Sequence, residues 1–291
     1  MTRSGTGREM VVGIDPLDPS VPTLAWAADE AERRELSLRL VLAVPPPHDV
    51  RHDPRQADPA PRRATRIRGR DALDSARETV LRLAPAAQVV AELVEGRPAE
   101  VLRRRSADPS ALVVVGSRRL STPAEFLGTR SVAAPLSARA HCPVVVVRAP
   151  ESTADLAARV VVGVDGSEPS RAALGFACEE AALRGAPVHA VGVEQGPASV
   201  VPGSGPGGEE RAQSLAAALT AWTSEHPEVH CTWEVRRGHP VEELARASAG
   251  ALGVVVGRRG HGGYTGMRLG SVTHGLLHRA ECPVITVPGG G

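Results

Sequence analysis

The residues VVGIDPLDPSVPTLAWAADEA, starting at Val11, return at a constant offset of 150 as VVGVDGSEPSRAALGFACEEA, starting at Val161. Asp15 falls on Asp165, Ser20 on Ser170 and Trp26 on Phe176. Three further blocks repeat in the same order. VEGRPAEVLRR at Val94 resembles RRGHPVEELAR at Arg236, ALVVVGSRR at Ala111 resembles ALGVVVGRRG at Ala251, and ARAHCPVVVV at Ala138 resembles HRAECPVITV at His278. A repeat of this size is a domain, not a solenoid unit, so the expectation is two homologous domains, 1–150 and 151–291.

Each half alternates short β-branched runs with helical patterns. MVVGID or VVVGVD precedes a helix over Leu24–Arg34 or Leu174–Leu183, and LRLVLAV or PVHAVGV follows. A Pro/Gly-rich loop leads to a helix over Ala72–Leu83 or Glu209–Glu225. A third strand, a short helix from Pro98 or Pro240, the run LVVVG or LGVVVG, a helix and a last strand after Cys-Pro complete the unit. Strands almost continuous in valine belong in a parallel sheet covered on both faces. The βα alternation makes that sheet doubly wound, with right-handed crossovers. The expected class is therefore α/β, two tandem domains each with a five-stranded parallel sheet and helices on both faces. Ligands of such sheets sit beyond the C-terminal strand ends at the topological switch point, within reach of Asp165 and Gly257.

Composition removes several chemistries. All 34 basic residues are arginine, so a Walker A loop, a protein-kinase strand lysine and Schiff-base catalysis are excluded in their usual forms. A net charge of +1 provides no global attraction for nucleic acid or acidic lipid. The N-terminal MTRSGTGREM has no signal-peptide core and no apolar run is long enough for a bilayer, so the expected setting is cytoplasmic, with no membrane or nucleic-acid partner. Cys142, Cys178, Cys231 and Cys282 form no C-x-x-C pair and read as reduced thiols.

After the run VVV, Gly257 and Gly260 open a glycine-rich loop that ends at Gly270 and Ser271, where SVTHGLLHR begins as a helix with Ser271 as its natural N-cap. Glycines here let backbone N–H groups approach a ligand closely. A helix N-terminus behind them can hold phosphate without lysine. The same glycines also suit a plain connection. Asp165 has two readings as well: acceptor for a ribose or adenine group, or the shaper of the turn DGSEPS with Ser167 or Ser170 capping the next helix.

The combination of VVGVDGSEPS after the opening strand with G-x2-G-x9-G-[ST] after the fourth resembles the universal stress protein family, in its ATP-binding, tandem form, over nearly the whole chain. The resemblance implies Rossmann-like, adenine nucleotide alpha hydrolase-like domains and a regulatory or protective role under stress. It implies ATP as ligand, with magnesium arriving on the nucleotide if at all. No catalytic residue and no protein metal site are implied. In ATP-binding members the aspartate after strand one and a residue ending strand two hold adenosine, and the glycine loop holds the phosphates. Carried over, Asp165 and Val193 would hold adenosine and Gly257, Gly260, Gly270 and Ser271 phosphate, with Val256, Arg259, Val272 and Thr273 as further nucleotide-binding candidates.

The first half departs from this pattern. Its loop is GSRRLSTPAEFLGTRSV. Gly116 matches Gly257, but Arg119 replaces Gly260. Gly128 and Thr129 imitate Gly270-Ser271 one residue early, whereas alignment from the Cys-Pro end matches Arg130-Ser131. Asp15 and Val44 keep the adenosine-side pattern, giving a second, weaker candidate site of Asp15, Val44, Gly116, Gly128, Thr129 and Ser131.

Remaining features are weaker. His274 and His278, four apart on a helix, form a metal pair without a third ligand. PPPHDVRHDPRQADPAPRRATRIRGR, from Pro45, reads as a solvated flexible loop. Alternatives to a stress-related ATP binder are a slow ATPase, disfavoured by the absence of lysine and of an evident general base, and a nucleotide-free scaffold. Because family members pair through their last strand, Val144–Val147 and Val284–Val287 are expected to pair within one chain as an intramolecular pseudo-dimer, with further homo-oligomers open.

Overall fold

The computed structural model describes residues 9–44, 59–107, 112–117, 131–148, 158–194, 227–260 and 268–289, together with 213, 216, 217, 219, 220, 222 and 224. The chain divides into two compact units, Met1–Val147 and Arg148–Gly291.

The first unit runs β1 (Glu9–Gly13), α1 (Val21–Arg33), β2 (Ser37–Val44), α2 (Pro59–Leu83), β3 (Val89–Glu95), α3 (Pro98–Arg105), β4 (Leu112–Gly116), α4 (Ala133–Ser137) and β5 (Val144–Val147). Its strands lie in the order β3-β2-β1-β4-β5, all parallel. The second unit runs β6 (Val160–Gly163), α5 (Glu168–Arg184), β7 (Val188–Glu194), helical residues between 213 and 224, β8 (Cys231–Arg237), α6 (Pro240–Ala247), β9 (Gly253–Gly257), α7 (Ser271–Arg279) and β10 (Val284–Val287). Its order is β8-β7-β6-β9-β10, again parallel. In each unit the winding reverses between the first and fourth strands, which makes that gap the switch point.

The valine runs are buried on both faces. Met10–Val12, Val113 and Val114 in the first unit, and Val160–Val162, Val254 and Val255 in the second, are at most 1% exposed. Buried ion pairs recur at matching places on the helices that follow the first strands: Glu30 with Arg34, and Glu180 with Arg184 at 2.5 Å. Both glutamates are at most 2% exposed, and each arginine supplies the compensating charge that a buried carboxylate requires.

Helix starts follow local chemistry. Ser167 caps α5, its hydroxyl accepting the Ser170 N–H at 3.3 Å. Leu17 stands at the matching position in the first unit and cannot cap. There the cap passes to Ser20, which accepts from the Thr23 N–H, and α1 begins only at Val21. Glu168, the first residue of α5, is the counterpart of Asp18, so α1 lacks nearly one turn that α5 has.

One expectation is corrected. The Pro/Arg-rich stretch from Pro45 reads as loop in the sequence, but residues 59–70 are helical and lengthen α2 to Pro59–Leu83. Prolines 59 and 61 fall in the first turn, where a backbone N–H has no intrahelical acceptor anyway. Gly69 then rests on the sheet, where an added Cβ would come within 2.7 Å of Leu93 Cδ1. Residues 45–58 of that stretch lie outside the described residues, as does the corresponding VPGSGPGGEE segment.

Candidate functional site

In the second unit the strand ends converge on the switch point. After β6 the Asp165 carboxylate turns back and accepts the Ser167 N–H through Oδ1 at 3.0 Å, while Gly166 takes φ 85°. This is an Asx turn, and it fixes the carboxylate at an exposed site. Gly260 comes up against it. A Cβ built on Gly260 would stand 2.1 Å from Asp165 Oδ2. Gly257 lies beneath the first turn of α5, where a Cβ would meet the Pro169 carbonyl at 2.8 Å. The loop closes through Gly270, whose N–H donates to the Arg258 carbonyl at 2.9 Å and on which a Cβ would meet the Arg259 Cα at 3.3 Å. The structure thus brings Asp165, Gly257, Arg259, Gly260 and Gly270 together at the switch point, and Gly163, at the end of β6, packs against Leu244 and Val256.

The start of α7 differs from expectation by one residue. Gly270, at φ −67° and ψ 150°, is the N-cap, and its carbonyl accepts the His274 N–H. Ser271 is therefore the first helical residue, exposed in the turn whose N–H groups lack intrahelical acceptors. Val272 is half-buried. Thr273 is 2% exposed and its hydroxyl donates to the Gly257 carbonyl at 2.9 Å, tying the helix to the end of β9. Val193 is half-buried near the end of β7. Arg259 and Arg268 are exposed and Arg258 is half-buried.

The first unit has a crevice at the same place. A cavity of about 130 Å³ is lined by Gly13, Ile14, Asp15, Val41, Ala43, Leu102, Val115 and Gly116, among others. The Asp15 carboxylate accepts the Leu17 N–H at 2.9 Å, repeating the Asx turn. Val44, paired with Val193 on sequence, is not its counterpart. Ile14 donates to Val41 as Val164 does to Val191, and Gly96 donates to Val44 as Gly238 does to Glu194. Ala43 therefore matches Val193, and Ala43 lines the cavity. Val44 points to the other face, as strand alternation requires, where its Cγ1 lies 3.9 Å from a Cβ built on Gly69 of α2. Ser131 is exposed just before α4, while Gly128, Thr129 and Arg119 lie outside the described residues.

The sequence model of the Universal stress protein family matches residues 7–148 and 157–288. The chain belongs to the universal stress protein family. A universal stress protein of Mycobacterium tuberculosis is 35% identical over 299 residues, covering 98% of both chains. One from Mycobacterium bovis is 32% identical over 289 residues, covering 95% of each. The crystal structure of a universal stress protein from Archaeoglobus fulgidus shares the fold, with a TM-score of 0.71 at 16% identity over 98% of this chain and 97% of that one.

Outside the crevice, the His274 and His278 rings of this universal stress protein meet edge to face, with centroids 4.8 Å apart. Burial, then His274, then Arg148 hold His278 below the usual imidazole range. Among the described residues no group of three or more His, Cys, Asp or Glu is placed to hold a metal, and no helix is long and apolar enough to cross a membrane. Cys178, Cys142 and Cys282 are buried and Cys231 is half-buried. Burial, with Cys231 beside it, pushes the Cys178 thiol up to about 12, and burial pushes Cys282 up to about 11.

Sequence spacing points to the glycines and Val256 but not to Pro169, Ala43 or the Gly163–Leu244 contact, which the structure places at the same strand ends. A signal for the last existed: Gly13 and Gly163 occupy the same strand-end place in the two halves, each with a Leu and a Val against it.

Proposed function

We propose that this universal stress protein binds ATP in the crevice of its second unit, and that nucleotide occupancy serves a regulatory or protective role in the cytoplasm under stress. The observation that carries the reading is the contact between Gly260 and Asp165. Only a residue without a side chain fits beside that carboxylate, so the glycine loop and the adenosine-side aspartate form one wall. The residues suit the ligand: Asp165 and Val193 beside the nucleoside, the loop N–H groups and the first turn of α7 on the phosphates. Magnesium would come coordinated to the phosphates, which supply hard oxygen ligands.

Calorimetric titration of ATP against Gly260→Arg tests this. The arginine must displace either Asp165 or the loop, so affinity should fall at least about tenfold, roughly 1.4 kcal/mol. Wild-type affinity in a folded variant would place the nucleotide elsewhere. Nucleotide released from purified protein by acid separates the competing roles: ATP fits a binder, ADP with turnover a hydrolase, and none a scaffold.

A further inference from the structure

We infer that the crevice of the first unit binds an uncharged nucleoside, base inside and sugar at the mouth, and not a nucleoside polyphosphate. The inference rests on reading the matching crevice of the second unit as a nucleotide site. The two units share walls but differ in both helices that open onto the switch point.

The walls are apolar. Ile14, Leu24, Val41, Ala43, Leu102 and Val115 line the cavity, and they suit a flat heterocycle, since small-molecule sites are largely apolar with a few polar groups fixing orientation. Those polar groups stand around it: Asp15, Asp18, Ser20, Thr23 and Ser117. The carboxylates can accept from sugar hydroxyls and a base amino group.

The phosphate device is dismantled in two places. In the second unit the first turn of α5 covers Gly257, which is buried. In the first unit Leu17 replaces the capping Ser167, that turn is missing, and Gly116 is exposed. The end of β4 is thus uncovered in the first unit, at the place of the phosphate-side Gly257. The second change concerns the helix behind the phosphate loop. Aligned from Cys142 and Cys282, Ser131 matches Ser271, Ala133 matches Thr273 and Pro135 matches Gly275. A helix starting at Ser131 would require residue 135 to donate to its carbonyl, and proline has no N–H and clashes with that turn. The helix begins at Ala133 instead and is only five residues long. Its unpaired N–H groups and positive dipole end are withdrawn from the place that Ser271 holds in the second unit. Ala133 also lacks the hydroxyl with which Thr273 ties its helix to the Gly257 carbonyl. Among the described residues, the charged groups that line the mouth are Asp15 and Asp18, and like charge repels a polyphosphate. The second unit carries Asp165 and Glu168 at the same places but keeps the glycines and the helix start that offset them.

The experiment uses the full chain in the Gly260→Arg background, with adenosine and ATP titrated separately by calorimetry. Adenosine should bind there with one site, and ATP at least tenfold more weakly than adenosine. Adding Ser117→Trp, which fills the cavity from its rim, should weaken adenosine at least tenfold; Val132→Trp, from another lining residue outside the strands, should do the same. Circular dichroism confirms that each variant is folded. ATP binding as tightly as adenosine in this background, or adenosine failing to bind or ignoring both tryptophans, overturns the inference. Failure of the second-unit reading is seen separately, as ATP binding to the wild type that Gly260→Arg leaves unchanged.

Discussion

Glu35 has φ 53°, the left-handed region that a residue with a side chain enters at a cost of roughly 1–2 kcal/mol. Its counterpart is Gly185, at φ 60° and ψ 33°, which ends α5 as a left-handed glycine cap. A Cβ on Gly185 would meet nothing within 4 Å, so the difference between the two positions is backbone strain without packing. Glu35→Gly should therefore stabilise the protein by about 0.5–1 kcal/mol, after allowing for the greater freedom of glycine in the unfolded chain. Gly185→Ala should cost about 1 kcal/mol. Urea denaturation of both variants checks this, and a Glu35→Gly that destabilises would show that the side chain makes a contact worth more than the strain. At this scale the sequence displayed which residues share a motif but not which atoms meet. The spacing of Gly257, Gly260 and Gly270 could be counted, whereas the approach of Gly260 to Asp165 joins residues almost a hundred apart and depends on strand order. Val44 and Val193 both stand near the end of the second strand of their unit, but a shift of one residue turns a side chain to the opposite face of the sheet.

Among the elements, strands are legible, and so are the helix starts at Pro98, Pro240 and Ser271, whereas the starts of α1, α2 and α5 are not. A strand covered on both faces shows itself as an unbroken apolar run, as Val113–Val115 and Val254–Val256 do. A helix start hangs on one residue, such as Ser167 against Leu17 or Gly275 against Pro135. The first dozen residues of α2 were missed because their proline and arginine content imitates a linker, although proline is tolerated in a first turn. The role given to Pro135 can be measured directly. Pro135→Ala restores a donor for the Ser131 carbonyl and should move the start of α4 back to Ser131. The new amide at residue 135 should exchange with solvent at least about tenfold more slowly than an unstructured amide, equivalent to roughly 1.4 kcal/mol of protection. Exchange at the unstructured rate would mean that something other than the proline sets where the helix begins.

For the whole molecule, the repeat was enough to read the architecture, since each half carries the full βα alternation in order and the family match covers both. The repetition has a further effect, on how the chain reaches its fold. β1 lies between β2 and β4 through Met10–Gly13, and β6 lies between β7 and β9 through Val160–Val162, with VVGID in one and VVGVD in the other. Each of these strands fits the other's slot. A chain diluted from denaturant meets both slots empty at once, and mispairing between like domains is a known trap of repeat proteins. A chain leaving the ribosome does not: at about 5–20 residues per second the first unit leads by roughly ten to thirty seconds, ample against the millisecond-to-second closure of a parallel sheet. Refolding from denaturant should thus return at least about two-fold less ligand-binding protein than cell-free translation of the same chain. The shortfall should persist on dilution, because the wrong partner is carried within the same molecule; equal yields would show that the two strands tell their slots apart.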